Sequence, residues 1–215
     1  MYFKDAIKNA NSLKVERTME ALHKNHMDAF YAKSVEEAQD IFKSLLEENS
    51  VVTAGGSMSA IELGFMEILK SGEYVYIDRE MTGITPEEVQ IVQRQAFTAD
   101  YFVTGTNAIT EKGELFNIDG NGNRVAAIAF GPKQVIVVAG SNKIVRDAQE
   151  ARRRVKEIAA PANAMRLDCK TPCAVDGICR DCSSDSRVCC VEMLTGFQRI
   201  QNRIKVIIVD ENLGF

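Results

Sequence analysis

Histidine is scarce in this chain: only His23 and His26 occur, both at the end of the first helical segment. A histidine-based metal site or catalytic triad elsewhere is thereby excluded. Long apolar runs are missing too, since none approaches the ~20 residues that a bilayer-spanning helix needs. The amino-terminal stretch MYFKDAIKNANSLKVERTMEALHKN is amphipathic and mixed in charge, without the basic-then-apolar order of a secretory leader. No membrane partner is expected, and a cytoplasmic location follows. A basic excess is the third absence. Lys and Arg number 26 against 30 Asp and Glu, a formal charge of −4, so there is no sequence-wide field for gripping a phosphodiester backbone and nucleic acid is not an expected partner. Internal repeats and low-complexity linkers are absent as well.

The 215 residues, 46% hydrophobic and 26% charged, suit one soluble domain over residues 1–215 with a substantial core. Apolar positions from Ala6 to Leu22 recur at near-helical spacing and predict an amphipathic helix over 5–25, after which MDAFYA reads as a strand. Ser34 with Glu37 three residues later has the form of a capping box opening the next helix. VVTA (51–54) is a short buried strand running into GGSMS, AIELGFMEILKSG a helix stopped by Gly72, and EYVYID (73–78) a strand. Thr85-Pro86-Glu87-Glu88 opens a further helix, which leads to the strand ADYFVTG. ITEKGELFNID predicts a hairpin turning at Lys112-Gly113, GNGN a tight turn, and QVIVVAG (134–140) a buried strand, with VAAIAF open between helix and strand. A charged helix over 144–159, a cysteine segment and a last strand, KVIIVDE (205–211), complete the order. Alternating helices and apolar strands imply an α/β fold with a mainly parallel sheet flanked by helices.

Three constellations carry candidate chemistry. Gly55-Gly56-Ser57-Met58-Ser59 sits between a strand and a helix, where free N–H groups and the helix dipole favour a phosphate or carboxylate. It has neither the lysine of a P-loop nor the spacing of a dinucleotide fingerprint. Glu62, about one turn into that helix, is placed to face the same cleft. The stretch from Thr104 to Lys143 gathers glycines, the amides of Asn107, Asn121, Asn123 and Asn142, and the cations Arg124, Lys133 and Lys143, which can meet an anion. Its carboxylates Glu111, Glu114 and Asp119, with Asp100 just before it, are the acid-base candidates; spacing singles out none, and Asp119 before Gly120 fits a turn cap equally well. The third is the cysteine block, where Cys169, Cys173, Cys179, Cys182, Cys189 and Cys190 hold every cysteine of the chain. Clustering this local argues against a disulfide framework and for metal ligation, with zinc and an iron–sulfur cluster both open.

The segments GGSMSAIELGF, TADYFVTGTNAITEKGELFNIDGNGNRVAAIAFGPKQVIVVAGSNKIV and CKTPCAVDGICRDCSSDSRVC together resemble the LUD domain, the lactate utilisation protein family, in a short form with cysteines near the carboxyl end. The resemblance implies a fold similar to the NagB/RpiA/CoA-transferase superfamily, with a β-hairpin insertion, a Cys-rich carboxyl-terminal loop and a ligand cleft at strand ends. By position it implies Gly55, Gly56 and Ser57 as the glycine-rich turn and Glu62 as the helix glutamate. The family's central signature falls on Thr104, Gly105, Thr106, Asn107, Asp119, Gly120, Gly122, Asn123 and Arg124. Glu62 and Asp119 are the expected catalytic carboxylates, the others ligand contacts, and Cys169, Cys173, Cys179, Cys182 and Cys189 the metal ligands. No segment matches the catalytic glutamate motif of CoA transferases, and the long ferredoxin-like segments of lactate-oxidising iron–sulfur subunits are absent. The expected function is binding of a small anionic metabolite, with a redox step through a cysteine-held centre. Two alternatives stand beside it: an accessory subunit with structural zinc that docks a dehydrogenase, and an isomerase or transferase on a sugar phosphate or acyl-CoA. A protein partner in a redox complex and a homo-oligomer complete the expected assemblies.

Overall fold

The computed structural model describes residues 3–215, with the side chains of residues 3–5 outside the description; Met1 and Tyr2, the start of the expected amino-terminal helical segment, lie outside it. In chain order the elements begin α1 (Phe3–Lys24), β1 (Asp28–Ala32), α2 (Val35–Ser44), β2 (Val51–Ala54), α3 (Met58–Glu62), α4 (Phe65–Leu69), β3 (Val75–Ile77) and α5 (Pro86–Gln95). Next come β4 (Tyr101–Gly105), β5 (Ala108–Thr110), β6 (Leu115–Asp119), α6 (Asn123–Phe130) and β7 (Gln134–Gly140). The chain ends with β8 (Ile144–Val145), α7 (Ala148–Arg154), α8 (Ala160–Arg166), α9 (Pro172–Asp176), β9 (Val191–Thr195) and β10 (Ile204–Val209). Six strands form a sheet in the order β1-β10-β7-β4-β2-β3, and every pairing in it is parallel.

The central strands are mostly apolar because both faces are covered. Along β7, Val135, Val137 and Ala139 enter a core with Val15 and Leu22 of α1 and Ile128 of α6. Ile136 and Val138 point the other way, into a core with Phe42, Phe65 and Leu69. Phe42 and Phe65 stack there with ring centroids 4.0 Å apart. A smaller sheet, β8-β5-β6-β9, carries the hairpin anticipated at Lys112-Gly113: β5 and β6 are antiparallel, and Gly113 takes the left-handed φ of 74°. A Cβ at Gly113 would lie 2.3 Å from the Ala21 backbone, so α1 and the hairpin pack as closely as they do only through glycine.

Several boundaries differ from the sequence reading, each for a local reason. VAAIAF is helical, within α6. The single helix expected after GGSMS is two, because Gly64 adopts φ 69° between α3 and α4. The helix expected from Ile144 starts at Ala148, where Asp147 accepts a hydrogen bond from Glu150 N, and Ile144 and Val145 pair with β5 instead. That helix does not end at Ala159. A π turn over Val155–Ala159 joins α7 to α8, and this wider turn carries the helix past Pro161, which has no N–H to donate. Among the described residues no helix is long and apolar enough to cross a membrane.

Candidate functional site

In a parallel sheet of this kind ligands settle beyond the carboxyl ends of the strands. There β2 runs into Gly55–Ser57, β4 into Thr106 and Asn107, and β7 into Ser141–Lys143. These loops, the start of α6 and the helix wall around the π turn enclose a cavity of ≈ 350 Å³. It is lined by Gly56, Ser57, Gly105, Thr106, Asn107, Asp119, Gly120, Asn123 and Arg124 of the anticipated positions. Val155, Ala159 and Asn163 face it from the helix, and Arg187 and Cys189 from the cysteine segment.

Arg124 is the keystone of the floor. Its guanidinium donates to Gly105 O at 3.2 Å, Ile118 O at 2.8 Å and Asn107 Oδ1 at 3.2 Å, and closely to Asn117 Oδ1. Nε faces Asp119 Oδ2 at 3.9 Å. Burial pulls its pKa down, against the favourable charge of Asp119. This arginine therefore ties β4, β6 and α6 together with most of its donors already engaged. Asn107 accepts from Ile118 N at 2.9 Å through the same oxygen, while its backbone carbonyl takes a 2.7 Å bond from the buried Arg154. Asp119 accepts from Val125 N at 3.1 Å, so the Asp-Gly pair caps α6 as well as lining the cavity.

Ser57 caps α3, accepting from Ala60 N at 3.2 Å. A Cβ on Gly105 would come within 2.5 Å of Ser57 Oγ, so glycine there is what lets two strand-end loops meet. Because α3 is only five residues long, its dipole is small, and the dipole argument for anion binding at this turn weakens accordingly. Charge comes instead from side chains. Arg79, Arg124, Lys143, Arg166 and Arg187 line the cavity against the carboxylates of Glu80 and Asp119.

Lys143 is the most unusual of these. It is 5% exposed, and its only hydrogen bond among the described residues goes to Ser59 Oγ at 2.9 Å. Its pKa falls to about 8: burial is the main cause, Arg154 and Arg124 add repulsion, and Glu62 acts the other way. Yet Glu62 Oε2 is itself bonded to Gly214 N at 2.7 Å. The anticipated catalytic glutamate thus sits behind Lys143 and anchors the 213–215 tail. Gly55, Thr104 and Gly122 also stand behind the lining. A Cβ on Gly55 would press on Phe102 and Thr104 at 3.0 and 3.1 Å, Thr104 is fully buried, and Gly122 opens α6 at φ 81°.

Other candidates lie elsewhere. Asp100 accepts from Val51 N at 3.0 Å at the opposite end of the sheet, Glu111 pairs with Arg17 at 3.0 Å, and Glu114 bonds Thr110 at 2.9 Å. All six cysteines are free thiols. Among the described residues no three Cys, His, Asp or Glu converge as a metal-holding group, so Cys169, Cys173, Cys179, Cys182 and Cys189 do not form a ready ligand cage as folded. Arg187 organises part of this segment instead, donating to Cys182 O at 2.6 Å and Cys189 O at 2.7 Å. Sequence reasoning flagged Lys143 as able to meet an anion but did not count it in the site. It passed over Arg79, Asn117 and Arg154. The available signal for Lys143 was its place directly after the most apolar strand.

A family model described as LUD domain matches residues 15–209. The crystal structure of a DUF162 family protein from Deinococcus radiodurans aligns with a TM-score of 0.53 at 15% identity, covering 93% of this chain and 98% of that one. Two ribose 5-phosphate isomerases align with lower scores. The enzyme from Neisseria gonorrhoeae gives 0.37 at 10% identity and that from Plasmodium falciparum 0.35 at 14%, each over 79% of both chains. No curated protein matches this chain.

Proposed function

Taking as premise that this chain belongs to the LUD domain family, we propose that the strand-end cavity is a receptor for a small anionic metabolite: a 2-hydroxy or 2-oxo acid or a small phosphorylated compound. The observation that carries the reading is Lys143, a buried ammonium at the cavity wall whose one favourable carboxylate, Glu62, is engaged by the tail. Buried charges are ordinarily paired. An incoming carboxylate or phosphate supplies the missing counter-charge, and Arg79 and Arg187 stand on the same cavity to meet a second negative group. A volume of ≈ 350 Å³ suits a ligand of this size; the nucleotide part of an acyl-CoA would remain outside.

The redox half of the expectation, a step through a cysteine-held zinc or iron–sulfur centre, gains no support from the arrangement of the thiols, and no step is derived through it. An isomerase or transferase reading needs a carboxylate at the reacting atoms. Of the sequence candidates only Asp119 lines the cavity, and it is occupied in capping α6.

Isothermal titration with lactate, pyruvate, inorganic phosphate and ribose 5-phosphate tests the proposal. At least one of these anions should bind with 1:1 stoichiometry, and Arg79→Gln and Lys143→Met should each weaken it at least tenfold. Binding that is absent for all four, or untouched by both substitutions, would remove the proposal.

A further inference from the structure

Ion pairing leaves one property of the cavity unexplained: its amine is held in surroundings that disfavour the ammonium. Lys143 follows β7 in a tight turn of Ser141–Lys143. The groups acting on Nζ come from several elements: Ser59 and Glu62 of α3, Arg154 of α7 and Arg124 of α6. The tail closes that end of the site. A Cβ on Gly214, whose φ is 57°, would lie 3.2 Å from Nζ and 3.0 Å from Ser59 Oγ, and Ser59 Oγ also donates to Leu213 O at 3.3 Å. The amine is thus shielded from bulk water on one side and borders the cavity on the other. An amine so placed is a nucleophile at neutral pH where exposed lysines are not.

We propose that Lys143 is an imine-forming lysine whose substrate class is a small aldehyde or ketone carrying a carboxylate or phosphate. The inference rests on the reading of the cavity as an anion receptor and names the chemistry of that same site. The Nζ lone pair adds to the carbonyl carbon as the C=O π pair moves to oxygen. Transfer of one proton from nitrogen to that oxygen gives the neutral carbinolamine. Ser59 Oγ, 2.9 Å from Nζ, is placed to relay the proton. Loss of the hydroxyl with a second proton, as water, leaves the imine, and hydrolysis reverses every step. No oxidant or reductant is consumed. Once protonated, the imine withdraws electrons from the neighbouring carbon, which suits the site to bond making or breaking adjacent to a carbonyl.

The experiment is borohydride trapping on the intact protein near pH 7.5, read by intact mass and peptide mapping. Pyruvate and dihydroxyacetone phosphate are the carbonyl probes, lactate and inorganic phosphate their carbonyl-free counterparts. Reduction converts the imine to a stable secondary amine on the labelled lysine. A pKa of about 8 against the usual 10.5 leaves an unprotonated fraction on the order of a hundredfold greater than at exposed lysines. One adduct should therefore form, on the peptide holding Lys143, with the matching carbonyl-free anion competing. Whichever probe labels assigns the anionic group as carboxylate or phosphate. Lys143→Arg, which keeps the cation but carries no amine able to form the imine, should abolish the adduct. Mapping of the native chain decides the matter even if that variant fails to fold. Binding of the anions without an adduct, or adducts spread evenly over surface lysines, overturns the imine and leaves the receptor reading standing; absence of both binding and adduct overturns both.

Discussion

Replacing Lys143 with Met should make the protein more stable at neutral pH, although it deletes a hydrogen bond. A fall in pKa from 10.5 to about 8, at about 1.36 kcal/mol per pH unit, means that holding the ammonium in the folded state costs about 3 kcal/mol. Loss of the bond to Ser59 Oγ returns about 1 kcal/mol of that. The net expectation is a gain of about 2 kcal/mol at pH 7, or a midpoint rise of about 4–8 °C for a chain of this length. The pH dependence fixes the cause. The unfolded lysine takes up its proton at 10.5 and the folded one only at about 8, so between those values the unfolded state binds more protons and native stability rises with pH. Below about pH 8 both states are protonated and the penalty is complete. The advantage of Lys143→Met should therefore be constant from pH 6 to 7.5, shrink between 8 and 10.5, and vanish or reverse above that. Urea denaturation of both proteins across this range, in a buffer free of carboxylate and phosphate, measures it, because titrations common to both cancel in the difference. A variant less stable than the native protein at pH 7, or a gap that does not narrow with rising pH, would refute the claim that this amine lacks a counter-charge.

Three further outcomes are expected. Gly105→Ala should destabilise by about 1–3 kcal/mol through overpacking and weaken anion binding, because its Cβ would meet Ser57 Oγ at 2.5 Å; unaltered calorimetric affinity would contradict that. Arg203→Met should lower the urea midpoint by the equivalent of about 3 kcal/mol or more without altering anion affinity per folded molecule. Its buried guanidinium holds Pro132 O, Ile128 O and Ala127 O at 3.0, 2.7 and 3.1 Å, where α6 ends outside the cavity lining. Elemental analysis and thiol titration of anaerobically purified protein examine the cysteine segment. Six titratable thiols match the arrangement described, whereas iron with acid-labile sulfide, or stoichiometric zinc, would require the loop to close further than it does here.

How much of this was readable from the residues depended on whether the controlling interaction was local. β7 and β10 announce themselves through the apolar runs 135–140 and 206–209 because both their faces are buried, and the start of α5 was legible because Thr85 and Pro86 mark its cap and first position side by side. β9 went unrecognised. It is a mostly exposed edge strand whose place is set by pairing with β6 far back in the chain, and its side chains carry no clean alternation. The continuation of the helix through Pro161 depends on the π turn before it, a backbone adjustment that composition does not encode. Within the site, the glycine and amide cluster was visible as composition. The division of labour was not: that Arg124 would be spent on the scaffold and Lys143 left at the cavity wall follows from Asn117, Gly105 and the tail at Gly214, which only the fold brings near them.

The web of bonds around Arg124 has a consequence for anyone wishing to retune this protein. Because one guanidinium fastens the pocket's base to the same strands that form the hydrophobic interior, that base cannot be re-engineered for a new guest without loosening the molecule. On the opposite bank Val155 and Ala159 belong to that interior as well, but the more exposed Asn163, Arg166 and Leu167 line the cavity without such an obligation. Variation in selectivity is best sought there, as with a lock whose barrel is cast into the door while its pins can be exchanged.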